Sequence, residues 1–470
     1  MHQVWEDFES IDSVVRNLYL RNIHQIDACG EDAEKDGLIV RCTDANNTLV
    51  NLCNLIKFIL EEQNLSTYSK QSIFIPCSSR TYVENIFSSI SDFSHRSIAN
   101  YLALRCFIVH LDDLSFIFRK IHLNHPHSFA KKTQLTKWER CVEWISNYMP
   151  YALGTDYVPK MLPKDSLNGV RKIVHEFIDV ASRYIALQKW IDDDNRRNII
   201  FAVQNLTNYI DSSVSILQNE TLINLIYEKF NPTGESFVAN VLEYQRAMFI
   251  FYITNHEIAE TFEFSSPLMV NAFHLPGMLD LRFGMLLPPI YSKDRPKLLN
   301  FATMGTSIGH EIGHEILNFF YEDNLNNKTE AAFMRKKKCF ETQYSQFEVK
   351  KIGKRVLGNV TYSEDLPDYI GMTLTQKLIE KYLLEDERAY EFTLPSLNFT
   401  TRQLLFLSMA QMWCTVRSTE NEQLHYETDI HTPPNFRIIG MMQNSEEFSK
   451  AFFCSPGRPM NPHLKCSFFD

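Results

Sequence analysis

The chain has 470 residues, 44% hydrophobic and 22% charged, with a formal net charge of −10. That is ordinary globular composition, long enough for two or three domains and a large core. The acidic balance argues against a general nucleic-acid binder, and no run of 18 or so apolar residues offers a membrane-spanning helix.

The N-terminal stretch MHQVWEDFES is acidic and has no apolar segment of the kind an export signal needs. Ten cysteines and the sequons at Asn46, Asn64, Asn205, Asn219, Asn327, Asn359 and Asn398 point instead to an oxidising, extracytoplasmic setting. The expectation that reconciles them is a chain truncated at its N-terminus. Residues 1 to about 70 read as short helices. Within them, residues 49–60 are apolar on nearly all sides, which predicts burial. Cys29 and Cys42 bracket the charged loop EDAEKDG. They either close it as a disulfide or stand as buried free thiols.

Helical periodicity continues over 101–118, 135–149, 167–190 and 194–209. Asp192-Asp193-Asp194 before Arg196-Arg197 marks a helix N-terminus, with acids at the positive end of the dipole. A Ca²⁺ loop there would need glycine spacing that is absent. His125 and His127 flank Pro126 in a stretch read as a solvated loop rather than a metal site. Near residue 236 the texture changes. Residues 237–254 read as a helix, and 269–273 and 282–287 as strands, the second closed by Pro288-Pro289. The longest basic run, Arg335-Lys336-Lys337-Lys338, reads as a solvated helix face.

About twenty residues further on stands TSIGHEIGHEILNFF, residues 306–320. It holds His310-Glu311-Ile312-Gly313-His314, an HExxH pentad. On a helix, residues four apart share a face, so both imidazoles can reach one Zn²⁺. Glu311 then lies where a carboxylate can take a proton from activated water. Met304, Ile308, Ile312 and Leu317 recur at helical spacing, and Thr306 or Ser307 is the expected helix start. Gly309 and Gly313 weaken the helix, which predicts close approach of a packed element or a ligand.

A catalytic zinc needs a third protein ligand. Downstream, Ser363-Glu364-Asp365-Leu366-Pro367-Asp368 places Glu364 and Asp368 four apart. One carboxylate can bind the metal while the other accepts the spare N–H of a ligand histidine. Acids in a first helical turn are also common caps, so spacing alone leaves both readings open.

Other stretches make the resemblance specific. HExxH with a downstream ExxxD, Val270-Asn271-Ala272-Phe273 against VNAFY, Ala410-Gln411-Met412-Trp413-Cys414, and TDIHTPPNFRIIGMMQN over 428–444 together resemble the neprilysin and endothelin-converting-enzyme peptidases. The tail FSKAFFCSPGRPMNPHLKC matches as well. The resemblance is dense over 240–470 and traceable over 70–235. It implies a mainly α fold with a small β component: a thermolysin-like zinc-peptidase catalytic domain, 236–470, and a helical cap domain, 1–235. It also implies an active site in a closed cavity between them. His310, His314 and Glu364 would bind one Zn²⁺. Glu311 would be the general base, Asp368 would orient a ligand histidine, and His431 would stabilise the oxyanion. Asn271, Ala272 and Arg437 would hold the substrate backbone.

By the same resemblance Cys339 pairs with Cys466, while Cys141, Cys414 and Cys454 lose partners that lie in a missing N-terminal segment. Cys53, Cys77 and Cys106 are expected as buried free thiols. The sequence departs from the family in having Glu315-Ile316-Leu317 where Gly-Phe-Asp is usual, and Pro367 at the expected start of the ExxxD helix. The implied activity is zinc-dependent hydrolysis of oligopeptides, outside the cell or at its surface. Membrane attachment would run only through a family anchor absent from this chain. The alternative is a catalytically silent, secreted peptide-binding homologue.

Overall fold

A computed structural model describes residues 10–11, 38–41, 50–66, 72–75, 77–90, 92–124, 136–162, 164–208, 216–234, 236–255, 258, 266–275, 277–321, 325–385 and 393–469. Cys29, Cys42, His125 and His127 lie outside them, as do the side chains of Cys53 and Cys77.

The described chain opens with β1 (Leu38–Arg41), α1 (Val50–Glu62), β2 (Ser72–Ile75), α2 (Cys77–Ile90), α3 (His95–Val109) and α4 (Phe116–Asn124). Then come α5 (Lys137–Tyr148), α6 (Pro150–Met161), α7 (Lys164–Ala186), α8 (Asp193–Gln204), β3 (Thr207–Asn208), α9 (Glu220–Tyr227) and α10 (Phe237–Thr254). The rest is β4 (Ala272–Leu275), β5 (Met278–Leu281), α11 (Lys297–Asn300), α12 (Thr306–Asn318), α13 (Asn327–Tyr344), β6 (Glu348–Val349), β7 (Lys354–Arg355) and α14 (Gly358–Glu385). The chain ends with α15 (Thr401–Met412), α16 (Thr419–Thr428), α17 (Pro434–Asn444) and α18 (Glu446–Ala451).

These elements form two compact units, each discontinuous in sequence. The first comprises residues 1–141 and 220–264. In it β1 and β2 pair antiparallel, and Leu60, Leu65 and Ile250 make a small core between α1 and α10. The expected burial of residues 49–60 fails at Phe58 and Ile59, which are exposed. Cys106, expected buried, is an exposed free thiol on α3.

The second unit comprises residues 142–219 and 265–470 and holds the large core. Asp192 caps α8 as its position predicts, accepting from the backbone N–H of Asp194 and Asn195. Asp193 and Asp194 pair with Arg196 and Arg197 in the first turn. A three-stranded sheet runs in the order β3-β5-β4, with β3 parallel and β4 antiparallel to β5.

Both predicted strands shift. The first forms over 272–275, and the second over 278–281 rather than 282–287. Phe283–Leu286 instead makes a 3-10 turn that buries Phe283, Met285 and Leu286. A short apolar run does not tell a strand from a tight buried turn. At the centre of this unit α12 and α14 cross in close contact, with β4 against α12 and α17 against α14.

Candidate active site

The HExxH helix, α12, begins at Thr306, one of the two expected starts. It continues without a side-chain cap from α11 through a π-helical turn, Phe301–Gly305. The expected apolar stripe is buried at Met304, Ile308, Ile312 and Leu317. The close approach predicted by Gly309 and Gly313 is backbone against backbone. A Cβ at Gly309 would lie 2.8 Å from the Gly371 Cα, and one at Gly313 would lie 2.8 Å from the Pro367 Cα. Both neighbours are on α14.

A correction falls on α14 itself. It begins at Gly358, so Glu364 and Asp368 lie inside the helix and not in its first turn, and Pro367 is an interior proline. Proline offers no N–H to the preceding turn. Its ring side is received by the bare surface at Gly313. The two helices therefore approach closely enough to bring Glu364 and Asp368 against the pentad.

His310 Nε2 and His314 Nε2 are 3.0 Å apart. Glu364 Oε2 lies 3.2 Å from His310 Nε2, 3.3 Å from His314 Nε2 and 3.2 Å from His431 Nε2. None of these contacts to Oε2 has hydrogen-bond geometry, so the oxygen is buried and unpartnered. Burial alone would raise the Glu364 pKa, but the three imidazoles hold it well below the usual range.

Asp368 accepts from His310 Nδ1 at 2.8 Å. It also accepts from Arg437 Nε at 2.6 Å and Nη2 at 2.7 Å. Burial disfavours its charge, yet the Arg437 guanidinium and His310 hold its pKa at about 2. Burial would likewise lower His310, but its contacts with Asp368 and Glu364 raise it to about 10. Arg437 is buried and lies over the Trp413 ring, 3.9 Å from its centroid. Trp413 was visible in the sequence only as part of a motif, without a role.

Glu311 is buried next to His310, and among the described residues no hydrogen bond or ion pair engages its carboxylate. His431 Nδ1 bonds Asp429 Oδ1 at 2.7 Å. Burial lowers the His431 pKa, but Asp429 and Glu364 raise it to about 9. Asp429 was missed in the sequence, although the Asp-x-His spacing could have shown it. Ala272 opens β4, an edge strand among the described residues, and exposed Asn271 precedes it. The Asn271 Oδ1 accepts from the Ala272 N–H at 3.0 Å.

The donor set fits a Zn²⁺ ion. Metal binding needs the His310 ring neutral, and with its remaining proton on Nδ1, held by Asp368, Nε2 would offer its lone pair. Three lone-pair atoms converge at 3.0–3.3 Å with Oε2 unpartnered. Ligands about 2.1 Å from a tetrahedral ion stand about 3.4 Å apart. Among the described residues these three form the one His/Cys/Asp/Glu group close enough to hold a metal.

Comparison with known proteins agrees with this geometry. The description "Peptidase family M13" matches residues 271–468 and, through its N-terminal part, residues 44–211. The chain belongs to peptidase family M13. Endothelin-converting enzyme 1 of Bos taurus is 31% identical over 351 residues, covering 72% of this chain and 46% of the relative. Membrane metallo-endopeptidase-like 1 of Mus musculus is 27% identical over 400 residues, covering 82% and 52%. This M13 chain thus spans about half the length of the curated relatives it matches.

Among solved structures, the Mycobacterium tuberculosis zinc metalloprotease Zmp1 in complex with an inhibitor aligns with a TM-score of 0.74 at 15% identity, over 100% of this chain and 71% of its own. PepO from Lactobacillus rhamnosis HN001 aligns with a TM-score of 0.66 at 16% identity, over 93% and 67%. The M13 fold is therefore the one found, mainly α with a small β component, as the resemblance implied.

One pair of side chains in this M13 site was not foreseen. Glu315, which follows the second histidine where the family has Gly, bonds His274 Nε2 on β4 at 2.5 Å and the Gly277 N–H at 3.2 Å. The His274 and His314 rings stack with centroids 6.0 Å apart.

Proposed function

We propose that the chain is a zinc-dependent metalloendopeptidase that hydrolyses oligopeptides. The observation that carries this reading is the convergence of His310 Nε2, His314 Nε2 and a Glu364 oxygen, with Asp368 fixing the His310 ring from behind. Zinc held by these three residues would supply Lewis acidity and lower the pKa of water to about 7. Glu311, which has no other partner among the described residues, takes the proton of the attacking water and returns it to the leaving amine. His431, held by Asp429, donates from Nε2 to the oxyanion that develops on the scissile carbonyl. The free edge of β4 accepts the substrate as an added strand, with Asn271 and Ala272 on its backbone. Arg437 supports the site by holding Asp368 and borders the substrate backbone. The division into a cap, 1–235, and a peptidase domain, 236–470, belongs to this proposal. The compact units follow other bounds, with 142–219 grouped with 265–470 and 220–264 with 1–141, so its support is only that every candidate site residue lies between Asn271 and Arg437.

Export is part of the same reading. Each sequon asparagine in the described residues, from Asn64 to Asn398, is exposed, and the Cys339–Cys466 disulfide is formed. No described helix is long and apolar enough to cross a membrane.

The test is zinc content and peptide turnover on the purified chain and two variants. Glu311→Gln keeps zinc and loses about 10²- to 10⁴-fold in kcat, because a base is removed and the ligands stay. Glu364→Val loses zinc. A Glu311→Gln protein as fast as its parent would refute the assignment. A parent chain that binds peptides without turnover would support the silent peptide-binding homologue instead.

A further inference from the structure

Asp429 is held from two sides, and the proposed chemistry uses only one. It is the C-cap of α16, with its N–H bonded to the His425 carbonyl at 2.9 Å. A carboxylate there faces the negative end of the helix dipole and needs donors. Oδ1 accepts from the His431 backbone N–H at 2.9 Å and from His431 Nδ1 at 2.7 Å. His425 Nδ1 lies 2.8 Å from Oδ2.

His425 precedes Asp429 by one helical turn. Its side chain is 8% exposed, against 38% for Asp429 and 39% for His431. Its Nε2 is buried with no hydrogen-bond partner among the described residues. A protonated ring would bury an N–H with nothing to receive it. A neutral ring with its proton on Nδ1 leaves only an unused lone pair there, which is the cheaper state. The geometry thus selects Nδ1–H of His425 as the donor to Oδ2.

We propose that His425 is a positioning residue for His431: a neutral donor that locks the Asp429 carboxylate without neutralising it. The proposal rests on the peptidase reading and deepens it. A lysine or arginine at this place would bring a second cation and compete with His431 for the same negative charge. A neutral donor stops the carboxylate from rotating and leaves its charge to the His431 ring. Nε2 of His431 is then aimed from a fixed position. Without His425, Oδ2 has no protein partner among the described residues and is left to solvent, and Oδ1 loses its fixed direction toward His431.

Two measurements on the full chain test this. The first is side-chain ¹⁵N NMR at neutral pH. His425 is expected as the neutral Nδ1–H tautomer, and His431 is expected to show a hydrogen-bonded Nδ1–H proton that broadens in His425→Leu. A doubly protonated or Nε2–H His425 overturns the proposal, as does a His431 resonance unchanged in the variant. This arm needs no turnover, so it decides the positioning claim even if the peptidase reading fails.

The second measurement is steady-state peptide hydrolysis. His425→Leu lowers kcat about tenfold with KM and zinc content unchanged. His425→Asn, which keeps an N–H donor near the Nδ1 position, stays close to the parent. In a His431→Ala background, His425→Leu has no further effect. An equal loss in that background, or loss of zinc, would show that His425 merely supports the fold.

Discussion

One carboxylate, Asp368, governs how the first imidazole of the pentad is presented. It takes the His310 Nδ1 proton with one oxygen and the Arg437 fork with both. Its folded pKa, about 2, lies below the ordinary 3.8, so the native state binds this proton more weakly than the unfolded chain does. The stability it contributes is complete above about pH 4 and is lost as pH falls through about 2, on the order of 2 kcal/mol. Arg437→Leu removes the nearest positive charge and strands Asp368 with His310 alone. The variant should be destabilised by about 3–5 kcal/mol. Its acid unfolding should begin at higher pH than that of the parent, and its zinc affinity should drop about 10- to 100-fold. Acid titration followed by circular dichroism, with zinc competition, checks this. A variant with parental acid stability would show that Arg437 does not hold Asp368. The pentad and the Glu364/Asp368 pair were legible in the sequence because each places residues four apart on one helix. Asp429 and Trp413 were quoted but given no role, since their work is done on residues that the chain brings near by folding.

At the scale of elements, the site is the crossing of α12 with α14 and the edge of β4 beside them. The crossing was half legible. Gly309 and Gly313 announced a close approach, but nothing in the sequence said that Gly371 and Pro367 were the partners. The Thr306 start of α12 was legible, but the π turn that feeds it and the early start of α14, with a proline inside the helix, were not.

The link from β4 to α12 was invisible as well. His274 and Glu315 are 41 residues apart, and only tertiary contact pairs them. Both side chains are buried, so removing one strands the other. Glu315→Ala should therefore cost about 3–5 kcal/mol and raise KM by loosening the strand proposed to receive substrate. His274→Phe with Glu315→Ala should recover much of that stability, because no buried polar group is left alone. Urea midpoints of the two variants decide it. A double variant no better than the single would mean that the pair is not what ties the strand to the helix.

The larger unit is closed by its C-terminal tail. Cys466 bonds Cys339 on α13, 127 residues away, with the Cα atoms 5.6 Å apart. Just beyond it, Phe468 is fully buried against Trp190 and Phe320, which stack on each other at 5.3 Å. The bond therefore holds an aromatic plug in a core that also contains the back of α12. In the chain-entropy account, a loop of this size contributes about 5 kcal/mol. The family resemblance made this pairing legible, because two cysteines so far apart carry no local signal. The remaining described cysteines, Cys106, Cys141, Cys414 and Cys454, are free, and the first three are exposed. Cys106 was misjudged because an apolar helix in sequence says nothing about which face is covered. Alkylation of the native, unreduced chain should label Cys106, Cys141 and Cys414 readily, Cys454 more slowly, and Cys339 and Cys466 only after reduction. Replacing both bridged cysteines with serine should lower the urea midpoint by the equivalent of several kcal/mol while leaving His310, His314 and Glu364 in place. If Cys141, Cys414 or Cys454 instead resisted alkylation and was recovered in a disulfide-linked peptide, the assignment of Cys339–Cys466 as the sole bridge among the described residues would be wrong.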